Sequence, residues 1–131
     1  MELGFTDFFK NEILRQYFTE NVELYVGLFV TTGPSEFQVE ISNEDTSYAR
    51  QPVVFKTVNA STVVNTNEVL FKAEEDWTTD LSRVTHIGIF NTPNIDRTEG
   101  LLVYLPLTTD ETIMAGQSFV LNTNSIKVQL V

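Results

Sequence analysis

A four-residue spacing of apolar side chains near the start of the chain predicts one amphipathic helix, over about residues 7–18. The positions at this spacing are Phe5, Phe9, Ile13 and Tyr17, and the stripe is widened by Leu14 and Phe18. Thr6 is well placed to cap this helix, because its hydroxyl can accept a hydrogen bond from a first-turn N–H. Two interpretations of the aromatic face are open: it packs on the protein's own sheet, or part of it docks on a neighbouring subunit.

After residue 21 the apolar spacing changes to every second residue, which is typical of β-strands. Residues 22–31 are apolar on both faces and predict a central strand that is covered on each side. Shorter strands are predicted at residues 53–58, 69–72, 84–90, 100–107, 118–121 and 126–131, and residues 36–41 are a half-exposed strand or an extended connection. Turns are predicted at residues 32–35, 59–60, 65–66, 92–94 and 115–116. We therefore predict a mainly β fold, a jelly-roll-like β-sandwich of about eight short strands with one N-terminal α-helix.

The composition agrees with a single globular domain. The chain has 131 residues, of which 42% are hydrophobic and 20% are charged, and it shows no linker, repeat or low-complexity tract. We predict one domain over residues 1–131, with the helix at about 7–18 and the sandwich at about 22–131. The N-terminus does not have the order of a signal peptide, and the apolar runs are too short to cross a bilayer, so we expect no membrane partner.

The charge balance, the absence of cysteine and the single histidine exclude several function classes. Eighteen acidic residues against eight basic ones give a net charge of −10, which argues against a nucleic-acid partner. The absence of cysteine excludes disulfides, thiolate metal sites and cysteine nucleophiles. With one histidine, a multi-histidine metal site is excluded as well. We expect no metal and no cofactor.

His86 is the only imidazole in the chain, and it lies inside an apolar predicted strand. A catalytic histidine needs a nucleophile and an orienting acid beside it, and no G-x-S-x-G elbow or similar motif supplies them. A histidine in this setting is more often hydrogen-bonded as part of the structure. We predict a non-enzymatic protein without catalytic residues.

Two acidic loops place oxygen ligands close together. One contains Glu74, Glu75, Asp76 and Asp80, and the other contains Asn94, Asp96 and Glu99. Calcium prefers such ligands, but neither loop has the spacing or the central glycine of an EF-hand. Solvated acidic loops are therefore the favoured interpretation. No pair of carboxylates is singled out for glycoside hydrolysis.

Trp77 is the only tryptophan and has two interpretations. It is either an anchor in the core or in an interface, or a stacking platform for a sugar. The second interpretation makes the protein a carbohydrate-binding module with Trp77, Tyr25 or Tyr104 as the platform. The acidic triplet before it places it where a loop enters the core, which favours the anchor.

The order of several segments resembles a known family. After the helix come residues 24–32 and 48–55, then residues 84–91 and 101–107, and finally residues 115–119; the most distinctive motifs are Tyr48-Ala49-Arg50-Gln51 and Thr85-His86-Ile87-Gly88-Ile89-Phe90. The series resembles small tailed-bacteriophage virion proteins, often labelled tail-fibre or hypothetical structural proteins. Residues 36–47 depart from the family pattern, being longer and acidic. The resemblance implies structural roles for Tyr48, Arg50 and His86. Arg50, one of eight cations, is expected to pair with a carboxylate or main-chain carbonyls.

The resemblance implies a virion component, assembled in the host cytoplasm. A fibre shaft needs repeats or heptads, which this chain lacks. The leading hypothesis is a capsid decoration or cement protein that binds the major capsid protein, because the negative charge suits the exterior of the particle. The alternative is a tail, neck or baseplate adaptor that holds a fibre. In either case we expect a homo-oligomer, with a trimer as the first guess, and interface anchors at Phe5, Phe8, Phe9 and Trp77.

Overall fold

The computed structural model describes residues 4–32, 38–95 and 99–130. Within these residues the chain forms one helix, α1 (Asp7–Tyr17), and ten strands: β1 (Leu24–Thr32), β2 (Gln38–Glu40), β3 (Gln51–Val53), β4 (Phe55–Asn59), β5 (Thr62–Asn65), β6 (Val69–Lys72), β7 (Ser82–Phe90), β8 (Leu101–Glu111), β9 (Ser118–Leu121) and β10 (Lys127–Gln129). The pairings described are antiparallel. The predicted mainly β class with an N-terminal helix is confirmed.

The chain divides into two compact units, each built from separated segments. Unit 1 comprises Met1–Glu23, Val53–Val69 and Leu121–Val131, and unit 2 comprises Leu24–Pro52 and Leu70–Val120. The single domain over residues 1–131 stays a prediction. No helix among the described residues is long and apolar enough to span a bilayer.

The structure has ten strands among the described residues where about eight were predicted, and one of the additional strands is β5. The sequence predicts a turn at residues 65–66 and no strand before it, whereas the structure has strand β5 ending at Asn65. Asn65 is in fact fully buried at the end of β5. Its Nδ2 donates to the carbonyls of Asn67 and Asn122, and its Oδ1 accepts from the N–H of Ile126. The side chain replaces backbone partners in the core, which a local turn preference does not reveal. Residues 33–35 of the predicted turn, and Phe37, lie outside the described residues.

Unit 1 contains α1 and a three-stranded sheet in the order β10-β5-β4. Thr6 caps the helix as predicted: its Oγ1 accepts from the N–H of Phe9 at 3.2 Å. The buried face of the helix region consists of Leu14 and Phe18, and Phe18 packs edge-on against Phe55 of β4 with the ring centroids 5.5 Å apart. The core stripe of α1 is therefore narrower than the predicted aromatic face.

Unit 2 contains the larger sheet, in the order β2-β1-β7-β8, with β3 also paired to β1. Strand β1 is central, as predicted. On one face of β1 the side chains Leu24, Val26 and Leu28 are buried. On the other face Gly27 lies opposite Gly88 of β7, next to the parallel rings of Phe29 and Phe90.

A two-stranded sheet of β6 and β9 supplies an aromatic cluster in unit 2. Phe71 of β6 stacks on Tyr48 at 6.2 Å and contacts Trp77 and Phe119. Tyr48 in turn reaches β1, because its hydroxyl accepts from the N–H of Leu28 at 2.8 Å. This packing of antiparallel strands is consistent with the predicted sandwich.

Candidate interaction surfaces

The first candidate surface is a group of exposed phenylalanines in the first turn of α1 and just before its N-cap, outside the buried stripe of the helix. We call Phe5, Phe8 and Phe9 the α1 patch; their exposed fractions are 50%, 75% and 49%. The rings of Phe5 and Phe9 pack edge-to-face at 5.2 Å, a favourable geometry for aromatic pairs. Large apolar side chains left in water in this way are typical of protein contact sites.

The predicted aromatic face of α1 thus divides into two parts. Leu14 and Phe18 pack into unit 1, whereas Phe5, Phe9 and Tyr17 remain exposed. The first interpretation therefore holds for Leu14 and Phe18, whereas docking of the exposed side chains on a neighbouring subunit stays a prediction. The four-residue repeat alone did not separate the buried side chains from the exposed ones. Residues four apart differ by about 40° around the helix axis, so a stripe of several turns extends beyond the buried face.

The second feature is an ion pair inside unit 2. Arg50 meets Glu40 through two hydrogen bonds, Nη2 to Oε1 at 2.8 Å and Nε to Oε2 at 2.9 Å. The exposed fractions of the two side chains are 0% and 11%. Nη1 of Arg50 also donates to the carbonyls of Thr92 and Asn94, and the guanidinium lies 3.4 Å from the centroid of the Phe90 ring. Arg50 therefore ties β2 to the loop after β7, through both of the partner types expected for it.

Tyr48 is the third member of this network and bonds to the same Glu40 carboxylate as Arg50. Its hydroxyl donates to Glu40 Oε2 at 2.6 Å while it accepts from the Leu28 N–H. Burial, together with the Glu40 carboxylate, raises the pKa of the phenol far above its ordinary value, so Tyr48 stays protonated. Tyr48 and Arg50 are two residues apart, and in extended backbone such residues point the same way. The Tyr-Ala-Arg spacing thus delivers two donors to one carboxylate.

Gly27 is the position that makes room for the network. A Cβ atom on Gly27 would lie 2.5 Å from Glu40 Oε2 and 2.7 Å from Phe90 Cε2. Both approaches are closer than van der Waals contact, so a side chain at this position would displace the Glu40 carboxylate or the Phe90 ring. Sequence reasoning missed Glu40 as the partner of Arg50 and Gly27 as the position that leaves room for the pair. The available signal was a glycine inside an apolar strand, which marks close approach of another group.

Trp77 lies in the core rather than on a surface. It is 8% exposed and packs edge-on against Tyr48 at 5.4 Å, while its Nε1 donates to Glu75 Oε1. So little exposed ring area rules out Trp77 as a sugar-stacking platform and leaves little of it for an interface. Tyr104, another proposed platform, stacks on His86 at 4.6 Å.

His86 lies on β7 opposite Phe29. Its Nδ1 is 2.8 Å from the hydroxyl of Thr85, which is in turn 2.8 Å from the hydroxyl of Thr31. These contacts agree with the structural role implied for His86, which stays a prediction.

In the acidic loop at residues 74–76, the carboxylates of Glu75 and Asp76 accept hydrogen bonds from neighbouring segments of the chain. Glu75 Oε1 accepts from the N–H and the hydroxyl of Ser47, and Asp76 Oδ1 accepts from the N–H of Ala115 at 2.8 Å. Asp96 of the second loop lies outside the described residues. Among the described residues, no group of three or more acidic or histidine side chains is arranged to hold a metal ion.

Glu75 gives a testable pH dependence. Hydrogen bonds from Ser47 and Trp77 hold the pKa of Glu75 below its ordinary value of about 4.3. A lowered folded-state pKa stabilises the protein above the unfolded value, and this stabilisation is lost as the pH falls through the folded value. We therefore expect Glu75→Gln to make the melting temperature fall less steeply between about pH 5 and pH 3.

The matched control for this measurement is Glu74→Gln. It changes the net charge equally but leaves the hydrogen bonds to the Glu75 carboxylate in place. Thermal melts across the acidic range, followed by circular dichroism, compare the variants. Equal slopes for Glu75→Gln and Glu74→Gln would contradict the role given to Glu75.

A groove of about 510 Å³ lies on the Gly27 face of the sheet. Its apolar lining consists of Phe29, Val39, Ile41, Phe90, Ile95 and Leu101. Glu40 also lines it, but that carboxylate is held by Arg50 and Tyr48. Ser42, Asn43 and Glu44 line it as well, so the groove presents both polar and apolar surface, and its apolar part reaches β8 through Leu101.

Comparisons with known proteins add one match. A protein-family model described as Podophage GP4 fiber I protein gp80 matches residues 4–129. No curated protein and no solved structure matches the chain.

Proposed function

We propose a function from the premise that this chain belongs to the family of the Podophage GP4 fiber I protein gp80. The chain is accordingly a phage virion structural protein. Our proposal is that it serves in the tail-fibre apparatus as a compact adaptor, not as a shaft and not as an enzyme. The family description, which names a fibre, is the observation that carries this location. It favours the tail-fibre alternative over the capsid decoration hypothesis.

The α1 patch is the surface proposed to attach the adaptor to a neighbouring virion protein. Phe8 is three-quarters exposed, and the neighbouring Phe5 and Phe9, which pack against each other, are about half exposed. Burying a phenylalanine side chain stabilises a complex by roughly 1.5–3 kcal/mol, and such aromatic anchors carry most of the energy of many interfaces. The helix is held from its other side by Leu14 and Phe18, so it presents the phenylalanines on a fixed support.

Phe8→Ala tests the proposed attachment. Because a central aromatic anchor typically contributes about 2 kcal/mol or more, we expect at least a roughly tenfold loss of incorporation into particles. The measurement is quantitative mass spectrometry of purified particles from a phage that carries the variant gene. Leu81→Ala is the control, since Leu81 is 71% exposed but lies far along the chain from α1.

Wild-type incorporation of Phe8→Ala would contradict the proposed attachment surface. Circular dichroism of the purified variant separates lost attachment from lost folding, because an exposed side chain leaves the core unchanged. The location itself is tested by gold labelling of the protein on intact particles. Label at the tail supports the fibre assignment, and label over the shell supports capsid decoration instead.

A further inference from the structure

Strand β7 loses its register with both neighbouring strands at one residue, Thr85. Towards β1, Val84 and His86 pair with the adjacent residues 30 and 29, so Thr85 has no partner in that register. Towards β8, Val84 and His86 pair with residues 111 and 106, so residues 107–110 lie opposite Thr85 alone. A bulge of this kind changes the direction of side chains, and bulges are common next to active sites.

A cavity of about 300 Å³ lies at this bulge, and we call it the bulge pocket. Its polar lining consists of Thr31, Asp80, Arg83, Thr85 and Asp110. Thr31 of β1 pairs with Arg83 of β7, and Asp110 belongs to the part of β8 that lies opposite Thr85. Asp80 lies in the turn before β7. The bulge pocket therefore gathers polar side chains from three adjacent strands and a turn of unit 2.

The two threonines of the bulge pocket belong to a chain of hydrogen bonds that ends at His86. Thr85 Oγ1 lies 2.8 Å from Thr31 Oγ1 and 2.8 Å from His86 Nδ1. If Nδ1 accepts, Thr85 donates to it, Thr31 donates to Thr85, and Thr31 keeps lone pairs for a ligand. If Nδ1 carries the proton, the chain runs the other way and Thr31 has a proton to donate. This part of the pocket suits a ligand group that can both donate and accept, as an alcohol hydroxyl does.

The charged lining residues disfavour a simple ion as the ligand. Asp80 and Asp110 repel an anion, whereas Arg83 repels a metal ion or an ammonium group. Carboxylates only accept hydrogen bonds and a guanidinium only donates them. A neutral ligand with several neighbouring hydroxyls supplies donors to the carboxylates and acceptors to the guanidinium at the same time. The hydroxyls of a sugar ring have this arrangement.

We propose that the bulge pocket binds one saccharide unit through hydrogen bonds. The ring hydroxyls donate to the two carboxylates, accept from the guanidinium and bond to Thr31. The site differs from the stacking platforms considered from the sequence, because Trp77 and the tyrosines are not part of its described lining. It belongs to unit 2, whereas the α1 patch belongs to unit 1, and it does not depend on the proposed attachment.

Nuclear magnetic resonance of the ¹⁵N-labelled full chain tests the proposal. The probes are the methyl glycosides of glucose, galactose, mannose, rhamnose and N-acetylglucosamine. We expect at least one of them to shift the backbone amide signals of Thr31, Arg83 and Thr85. The expected dissociation constant is on the order of 1 mM, because a single sugar ring has few atoms to contribute binding energy.

Two results of this titration overturn the proposal. One is that none of the glycosides moves these signals at a concentration of about 50 mM. The other is that phosphate, calcium chloride or glycine moves them and the glycosides do not, since the pocket then takes an anion, a cation or a zwitterion. A trisaccharide of the sugar that binds separates two sources of the unit. Tighter binding of the trisaccharide supports a sugar chain, and equal binding supports a free sugar.

Arg83→Gln tests whether the bulge pocket is the place where the glycoside binds. A hydrogen bond from a charged donor is lost, so we expect the dissociation constant to rise at least about tenfold. The control is Arg15→Gln, which changes the charge equally at an exposed position of α1 and is expected to leave binding unchanged. Equal affinities of the two variants for the glycoside overturn the proposal.

Thr85→Val gives a further readout, because it removes the hydroxyl that links Thr31 to His86. We expect the glycoside to bind roughly fivefold more weakly, as for the loss of one neutral hydrogen bond. Unchanged affinity in this variant contradicts the part given to the hydroxyl chain. If Thr85→Val does not fold by circular dichroism, the comparison of Arg83→Gln with Arg15→Gln decides, since Arg83 is exposed and its replacement leaves the core unchanged.

Discussion

Replacing Arg50 by methionine is expected to lower the free energy of unfolding by about 3–5 kcal/mol. The substitution removes both hydrogen bonds to Glu40 and leaves that carboxylate against the Phe90 ring and the Tyr48 hydroxyl, mostly out of water. It also frees the carbonyls of Thr92 and Asn94 from their donor. A buried charge without its partner is among the most destabilising changes known for a single side chain.

Urea unfolding followed by tryptophan fluorescence measures this effect. Trp77 is the only tryptophan and contacts Tyr48, so its emission reports on the part of unit 2 that holds the network. Arg15→Met is the matched control, because Arg15 and Glu12 form an ion pair in which the two side chains are 64% and 47% exposed. Exposed pairs contribute roughly 0–1 kcal/mol, and we expect the control to change little. A loss below about 1 kcal/mol for Arg50→Met would show that the network is not a structural element.

The double variant Glu40→Leu with Arg50→Met separates two explanations of such a loss. If the cost comes from an unpaired buried carboxylate, removing that carboxylate as well recovers much of the stability. If the loss comes from the missing contacts of the guanidinium with the loop and with Phe90, the double variant stays as unstable as Arg50→Met.

Phe55→Ala is the other large expected effect, at about 3–5 kcal/mol. Phe55 is fully buried in unit 1 and packs against Phe18 at the end of α1. Its removal leaves a cavity where the helix meets β4, and the surrounding groups fill such a cavity only in part. The helix signal in far-ultraviolet circular dichroism, recorded during thermal unfolding, measures the loss.

Val58→Ala on the same strand is the control for Phe55→Ala. Val58 is exposed, and a surface substitution of this kind changes stability by about 0.5 kcal/mol or less. An equal effect at the two positions would contradict the account of the core of unit 1. Because Phe55 supports α1, we also expect Phe55→Ala to weaken incorporation into particles without altering the α1 patch itself.

The helix and the central strand were predictable from the sequence, because the backbone geometry of each element repeats its apolar side chains at a fixed spacing. The helix begins at Asp7 behind the Thr6 cap, and the strand after residue 21 is central, both as predicted. Asn65 and β5 were not predictable in this way. A buried asparagine that bonds to the main chain of three other residues has the same local sequence as a turn.

The residues of the candidate surfaces and of the Arg50 network were also predictable only in part. The sequence alone determined that Arg50 requires an acidic or carbonyl partner, that the chain lacks the residues for thiolate or multi-histidine chemistry, and that an aromatic helix face exists. Only the tertiary structure decided that Glu40 is the partner, that Trp77 is core, that the phenylalanines of the α1 patch face water, and that a polar pocket lies where the register shifts at Thr85. Periodicity is a property of neighbouring residues, whereas burial and pairing depend on which distant segments the sheet register brings together.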